Sequence, residues 1–265
     1  MSKYIGWFSC GITSAVACKL AVQEYGAENV RLFYLEIDSA HNDNKRFIED
    51  CEKWIGVKVE YRRNQKYKDQ FDVIRKDKYV NGPAGARCTK VLKKDIRMKI
   101  EKEVDYEGQI FGFEFSKKEI NRAIRFSKQY PAAKPHYPLI DKKITKEMCA
   151  EILLKNGIKL PKMYELGFHN NNCIGCVKGG AGYWNHVRKT FPDKFKEMAE
   201  VEREVGRSCL KGKFLDELKP NEGRHNPPIL PDCGTFCEIE FADIIDKGTE
   251  EVFTGNKTMK QLKLF

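Results

Sequence analysis

No uninterrupted apolar run among the 265 residues approaches the roughly 20 that a bilayer-spanning helix needs, which argues against a helical membrane protein. The opening residues, MSKYIGWFS, hold a single Lys and lack the basic, apolar and small-residue regions of a secretory leader. A cytoplasmic location and no membrane partner are therefore expected. There is no internal repeat and no low-complexity segment, so a solenoid or a compositional linker is not the reading. Also missing is the GK[ST] ending of a Walker-type loop, which argues against an ordinary P-loop ATPase.

What is present reads as a soluble globular chain: 41% of residues are hydrophobic and 32% charged, too apolar for a disordered protein. The length allows one large domain, or a core with a smaller appendage. A formal net charge of +10 favours a polyanionic partner or substrate. The Lys and Arg residues are spread, with modest clusters at KKDIRMK (93–99) and KKEINRAIR (117–125). Charge alone thus leaves open a solvated surface, tRNA or DNA, and a nucleotide carrying several phosphates. Ten cysteines are many for a reducing compartment, where thiols, metal ligands or redox groups are expected before disulfides.

Short apolar runs alternate with helical periodicity along the first half. Strands are expected at 4–8, 30–37, 57–62 and 109–113, and helices at 12–25, 44–56, 89–104 and 117–129. That alternation predicts an α/β fold: a mainly parallel sheet with helices on both faces and its ligand edge at the strand ends. From Pro131 the texture changes to a proline-rich connector, a helix at 145–157 ended by Gly157, and a polar, cysteine-bearing stretch at 168–186. A charged helix follows, then a Pro-, Gly- and Cys-rich tail with an apolar element at 238–245. The expected organisation is a nucleotide-binding α/β core over 1–135 and a helical, Cys-rich region over 136–265 packed on it.

The first strand runs into FSCGITSAV (8–16), a bend without bulky side chains at the start of a helix. Backbone N–H groups at such a bend, beside the positive end of the helix dipole, suit a phosphate; a plain tight turn would use the same residues. The bend resembles the PP-loop of the ATP-pyrophosphatase superfamily, usually written SGGxDS, here Ser9-Cys10-Gly11-Ile12-Thr13-Ser14. Cys10 replaces a Gly, and Thr13 replaces the Asp that the phosphoadenosine phosphosulfate (PAPS) reductase branch also lacks. EIDSAHNDNKRFIEDCEKWIG, ARCTKVLK, GFEFSKKEINRAIRF and YPLID…MYELGFHNNNCIGC resemble further segments of that branch, in the same order. The chain is most similar to compact versions carried by bacteriophages and prophages.

This resemblance implies a Rossmann-like, adenine nucleotide alpha-hydrolase-like fold. It also implies an adenine nucleotide, ATP or of the PAPS type, on the sheet edge. Ser9, Cys10, Gly11, Ile12, Thr13 and Ser14 would hold phosphate or sulfate oxygens. Glu36, Ile37 and Asp38 would lie beside the adenosine, and Gly112 and Phe113 would close the far side. Lys93 and Arg122, with Arg125 behind them, would neutralise anionic groups, since an Arg fork binds phosphate bidentately. Asp38 and His41 would bind a metal or orient substrate, or simply shape a turn.

CIGC (173–176) spaces two thiols to face one metal, and CGTFC (233–237) is a second close pair. From spacing alone the two pairs form one four-thiolate site, zinc or a [4Fe–4S] cluster, or Cys173 and Cys176 form a redox dithiol. The family likeness groups them differently. Reductases that carry a cluster use a tandem Cys pair, then a CxxC, then a late nucleophilic Cys. Cys88 stands in the tandem position with Thr89 beside it, which leaves one ligand missing. The resemblance thus implies Cys88, Cys173 and Cys176 as metal ligands, Cys237 (or Cys209) as the fourth, and Cys233 as nucleophile. A thioredoxin-like reductant would be the partner for sulfate reduction, and tRNA or DNA for a sulfur-transfer reaction. Tyr183, His186 and Arg188 could clamp a base, whereas Trp184 is expected to pack beneath the metal site.

Overall fold

A computed structural model describes residues 3–81 and 85–224; Cys233, Cys237 and the apolar stretch at 238–245 lie outside the described residues. The first unit contains strands β1 (Tyr4–Trp7), β2 (Val30–Leu35) and β3 (Val59–Arg62), joined by helices α1 (Ile12–Tyr25) and α2 (Asn44–Ile55). Next come α3 (Gln70–Asp77), α4 (Arg87–Thr89), α5 (Asp95–Glu103), β4 (Gly108–Ile110), α6 (Lys117–Gln129), β5 (Pro135–His136) and α7 (Pro138–Asp141). The remainder is helical: α8 (Lys146–Lys155), α9 (Lys162–Glu165), α10 (Ala181–Thr190) and α11 (Pro192–Val205). Among the described residues, no helix is long and apolar enough to cross a membrane.

The five strands are all parallel, in the order β3-β2-β1-β4-β5. This is the Rossmann-like α/β sheet that the alternation of elements predicted. The order reverses direction at β1, so the crevice for a ligand opens between the carboxyl ends of β1 and β4. Alternation along the strands sends side chains to two cores. Val30, Leu32 and Tyr34 pack with α1, α2 and α8 on one face. Ile5 and Phe33 meet Ile96 and Ile100 of α5 on the other.

Two expectations change. The single helix drawn over 89–104 is broken: five residues, Lys90–Lys94, form a π-helical turn between α4 and α5. The wider turn lets consecutive Val91 and Leu92 enter a small core with Ile37 and Tyr67, while Ile96 and Ile100 of α5 serve the sheet. The proline-rich connector hides the fifth strand, in which Pro135 and His136 pair with Gln109 and Ile110. A strand starting on Pro is tolerated there because β5 is an edge strand.

A further core lies beyond the sheet. Phe71 and Ile74 of α3, Trp184 and Val187 of α10, Met198 and Val201 of α11, and Leu215 pack together, with Cys88 and Cys209 against them. Trp184 is fully buried in it, as its expected packing role requires.

Candidate functional site

Chain direction brings the small-residue bend to the switch point. After Phe8 the chain turns through exposed Ser9 and buried Cys10 and enters α1 at Ile12. Cys10 has a φ of 58°, in the left-handed region, which costs a residue with a Cβ about 1–2 kcal/mol. A Gly would sit there freely, so the Cys in this position is held by its surroundings. Ser14 organises the bend: its Oγ accepts from the Ser9 N–H and the Ser9 hydroxyl, both at 3.1 Å, and donates to the Gly11 carbonyl at 2.8 Å. The first turn of α1, at the positive end of its dipole, faces the bend, with the Ala15 N–H taken by the Gly11 carbonyl at 3.1 Å.

The opposite wall is Gly112, just past β4. A Cβ there would stand 2.7 Å from Ser14 Cα and 2.8 Å from Ser14 N, so only Gly lets the end of β4 come this close to the first turn of α1. Phe113 follows, nearly buried, with the Arg122 guanidinium 4.4 Å above its ring. Arg122 is exposed and pairs with Glu119 at 3.1 Å. At the end of β2, Arg63 bridges Glu36 at 3.5 Å and Asp38 at 2.9 Å, while Ile37 is buried. His41 Nδ1 accepts the Asp43 N–H at 3.1 Å. Asp38 and His41 are thus engaged in shaping this turn.

The thiol loop is tied to the bend and to the turn after β2. Asn171 Nδ2 donates to the Cys10 carbonyl at 2.6 Å and to Asn44 Oδ1 at 2.8 Å. The Tyr164 hydroxyl accepts the Ile12 N–H at 3.5 Å, from beneath the start of α1. Ile174 N–H donates to the Ser39 carbonyl at 2.8 Å, and Gln70 links the Ser39 hydroxyl to the Ile174 carbonyl at 2.5 and 2.7 Å. Lys146, buried and with its ammonium disfavoured by desolvation, holds the His169 carbonyl and Asn170 Oδ1 at 2.5 and 2.7 Å. Cys173 therefore follows directly on a segment strapped to the bend.

Inside CIGC, Gly175 adopts a φ of 78°, and the Tyr183 hydroxyl accepts the N–H groups of Gly175 and Cys176 at 3.1 and 2.9 Å. Tyr183 is thereby a support for the loop. Cys88 lies within electrostatic reach of Cys173 and Cys176, and of Lys93 and Lys178. Burial, then those neighbouring thiols, pushes the Cys88 thiol up to about 11; burial also raises Cys176. Neither is an ionised nucleophile in this arrangement. Lys93 sits on the π-helical turn within reach of the thiols Cys88 and Cys176. Among the described residues, no three Cys, His, Asp or Glu side chains already close round a metal ion. A cavity of about 220 Å³ opens beside Cys176, lined in part by Asn170, Asn172, Lys178, Tyr183 and Arg224.

Asn171, Tyr164, Ser39, Gln70 and Lys146 were not singled out from the sequence. Asn171 is the middle of three consecutive asparagines, and nothing in that run says which one faces the bend. Asn171→Ala is expected to lower the unfolding free energy by about 1–2 kcal/mol, since the Cys10 carbonyl loses its short hydrogen bond. Urea unfolding with an unchanged slope checks it, and an unmoved midpoint contradicts the strap.

A family model described as the phosphoadenosine phosphosulfate reductase domain matches residues 3–179. No curated protein and no solved structure matches the chain. The match runs from β1 through the bend at Ser9–Ser14, the crevice at Gly112 and the whole CIGC loop, and on it the chain belongs to the phosphoadenosine phosphosulfate reductase domain family.

Proposed function

We propose that the protein reduces an adenylylated sulfate to sulfite. The observation that carries this reading is the strap from Asn171 to the Cys10 carbonyl, which sets a thiol-bearing loop against the bend that would receive the phosphates. Family membership supports an enzyme of the sulfonucleotide reductase kind with an adenine nucleotide as its small molecule. The N-terminus of α1, the hydroxyls of Ser9, Thr13 and Ser14, and Arg122 would bind the nucleotide's anionic oxygens. Glu36, Ile37 and Asp38 would flank the adenosine, with Gly112 and Phe113 on the far side.

In the proposed reaction a cysteine thiolate, assigned to Cys233, attacks the sulfur of the bound adenylylated sulfate. An S–S bond forms, the bond from sulfur to the bridging oxygen breaks, and the nucleotide leaves with that electron pair. A thioredoxin-like dithiol then attacks the cysteine sulfur of the thiosulfonate. Sulfite departs with the S–S electron pair, and the second thiol of the partner closes its disulfide and restores the cysteine. The dithiol supplies the two electrons that sulfate gains. The attack needs an accessible thiolate, which cations beside a thiol favour.

The test supplies adenylyl sulfate or its 3′-phosphorylated form with a dithiol protein reductant under anaerobic conditions. Sulfite and nucleotide should appear in equal amounts, and Cys233→Ser should abolish turnover while nucleotide binding survives. No sulfite from either substrate overturns the reading. The net charge of +10 favours one other reading, ATP-dependent sulfur transfer to tRNA or DNA through an adenylated intermediate. Its mark is pyrophosphate released from ATP only when the nucleic acid is added. Nucleotide binding with no turnover of any of these would leave a metal-stabilised binding protein.

A further inference from the structure

We propose that the exposed face of α6 is a docking surface for the phosphate backbone of duplex DNA, whatever reaction the crevice performs. α6 turns Ile120 and Ala123, with Ile124 and Phe126 beside them, into the core around Tyr137. Its outer face carries Lys117, Lys118, Arg122, Arg125 and Lys128, and the other exposed residues there are the amides Asn121 and Gln129. At about 100° per residue these positions fill an arc of about 140°, with no carboxylate and no apolar side chain in it. From Lys117 to Lys128 the helix advances about 16 Å. The stripe touches the crevice at Arg122, over Phe113, and runs outward from it.

This face differs from the other charged helices. Their cations are matched by acids one turn away: Lys76 by Asp72 in α3, Lys99 by Glu103 in α5, Lys155 by Glu151 in α8, and Lys196 by Glu200 in α11. On α6 the pair of this kind is Arg122 with Glu119 at 3.1 Å. Among the described residues, Lys117, Lys118, Arg125 and Lys128 form no ion pair. Lys94 adds a further cation at the C-terminal end, 5.2 Å from the Tyr130 ring. Like charges this close repel one another, a cost that a polyanion along the helix removes.

The chemistry of the face selects among polyanions. A protein partner needs an apolar centre to its interface, and the large apolar side chains exposed among the described residues, Tyr61, Met98 and Leu154, are not on α6. The same lack leaves nothing to enter a bilayer. Nor does the arc hold a ring on which an unpaired base would stack, the contact that single strands use. A duplex carries on the order of nine phosphate charges over the length of the stripe. The major groove of B-form DNA, about 12 Å wide, admits a helix, whereas the narrow A-form groove of RNA does not. Lys and Arg then meet phosphates, and the Asn121 and Gln129 amides meet phosphates or base edges.

The test is fluorescence anisotropy of a labelled DNA duplex of about 20 base pairs with the full-length protein, across about 50–200 mM salt. The triple variant Lys117→Gln, Lys118→Gln, Lys128→Gln should bind about tenfold or more weakly at the lower salt. Its slope of log affinity against log salt should fall by about 2–3, and that of Lys118→Gln alone by about 1. Lys196→Gln, on α11, should change neither. Urea unfolding is read for each variant, and if the triple does not fold, Lys118→Gln decides. ATP binding should persist in the triple, so failure of this surface is read apart from failure of the nucleotide site. No binding of duplex DNA, an unchanged slope in the triple, or an equal loss in Lys196→Gln would overturn the assignment. So would tighter binding of single-stranded DNA, duplex RNA or an acidic polypeptide. Loss of ATP binding in the triple would place these lysines in the nucleotide site instead.

Discussion

Gly112→Ala weakens adenine-nucleotide binding by about tenfold or more and lowers the unfolding free energy by about 1–3 kcal/mol. The added methyl group meets the backbone of Ser14 at 2.7 and 2.8 Å and of Thr13 at 3.0 Å, and backbone inside a helical turn cannot swing aside as a side chain does. Either the end of β4 or the start of α1 must move, and both walls of the crevice are made from them. The contrast with Gly11 sharpens the prediction. Gly11 has a φ of −89°, and a Cβ on it would find its nearest neighbour at 3.6 Å. Gly11→Ala should therefore fold with nearly wild-type stability, and any loss of affinity would come from blocking the approach of a phosphate. Calorimetric titration with ATP and with adenosine 3′,5′-bisphosphate, beside urea unfolding, separates the two effects. Unchanged affinity in Gly112→Ala would remove the crevice between β1 and β4 as the nucleotide site.

That crevice was legible before any coordinates because it is made of consecutive residues. Apolar runs of strand length, a helix stop at Gly26 and a bend of small residues each follow from local physics. The parallel sheet follows from their alternation. What pattern could not reach was contact across long separations. Asn171 meets Cys10 across 161 positions, a pairing that no local pattern encodes. The fifth strand was hidden by its own Pro135, which local rules assign to a connector. The π-helical turn escaped for a related reason. Its extra residue serves two cores at once, and periodicity reads only one face. Cys88, Cys173 and Cys176 were grouped by resemblance; Cys88 lies within electrostatic reach of the other two, but among the described residues no three such side chains close round a metal ion. Cys209, seven residues past Glu202, has no spacing motif to mark it; only the burial of Glu202 shows why that Cys is held there.

Trp184→Ala is expected to cost about 3–5 kcal/mol, the largest stability loss of any substitution considered, and to unlock the thiol loop as well. Its ring is fully buried among Phe71, Val187, Met198 and Leu215. The same ring lies 3.4 Å from where a Cβ on Gly175 would stand, with Phe71 at 3.1 Å, so the two aromatics form the floor beneath CIGC. Removing that floor leaves a cavity that α10 and α11 cannot close without shifting Tyr183, whose hydroxyl holds the N–H groups of Gly175 and Cys176. Against a typical total stability of about 5–15 kcal/mol, a loss of this size consumes a large fraction of the folded state. Trp184→Phe should be far milder, about 1.5 kcal/mol or less, because most of the packing volume stays. Among the described residues the indole Nε1 has no hydrogen-bond partner, so the Phe variant also discards a polar group that burial penalises. Urea unfolding gives the first quantity, and the native-state alkylation rate of Cys173 and Cys176 gives the second. A fall in stability without faster alkylation would mean that the loop is held by Asn171, Gln70 and Tyr183 alone, and that the core beneath it is a neighbour and not a support.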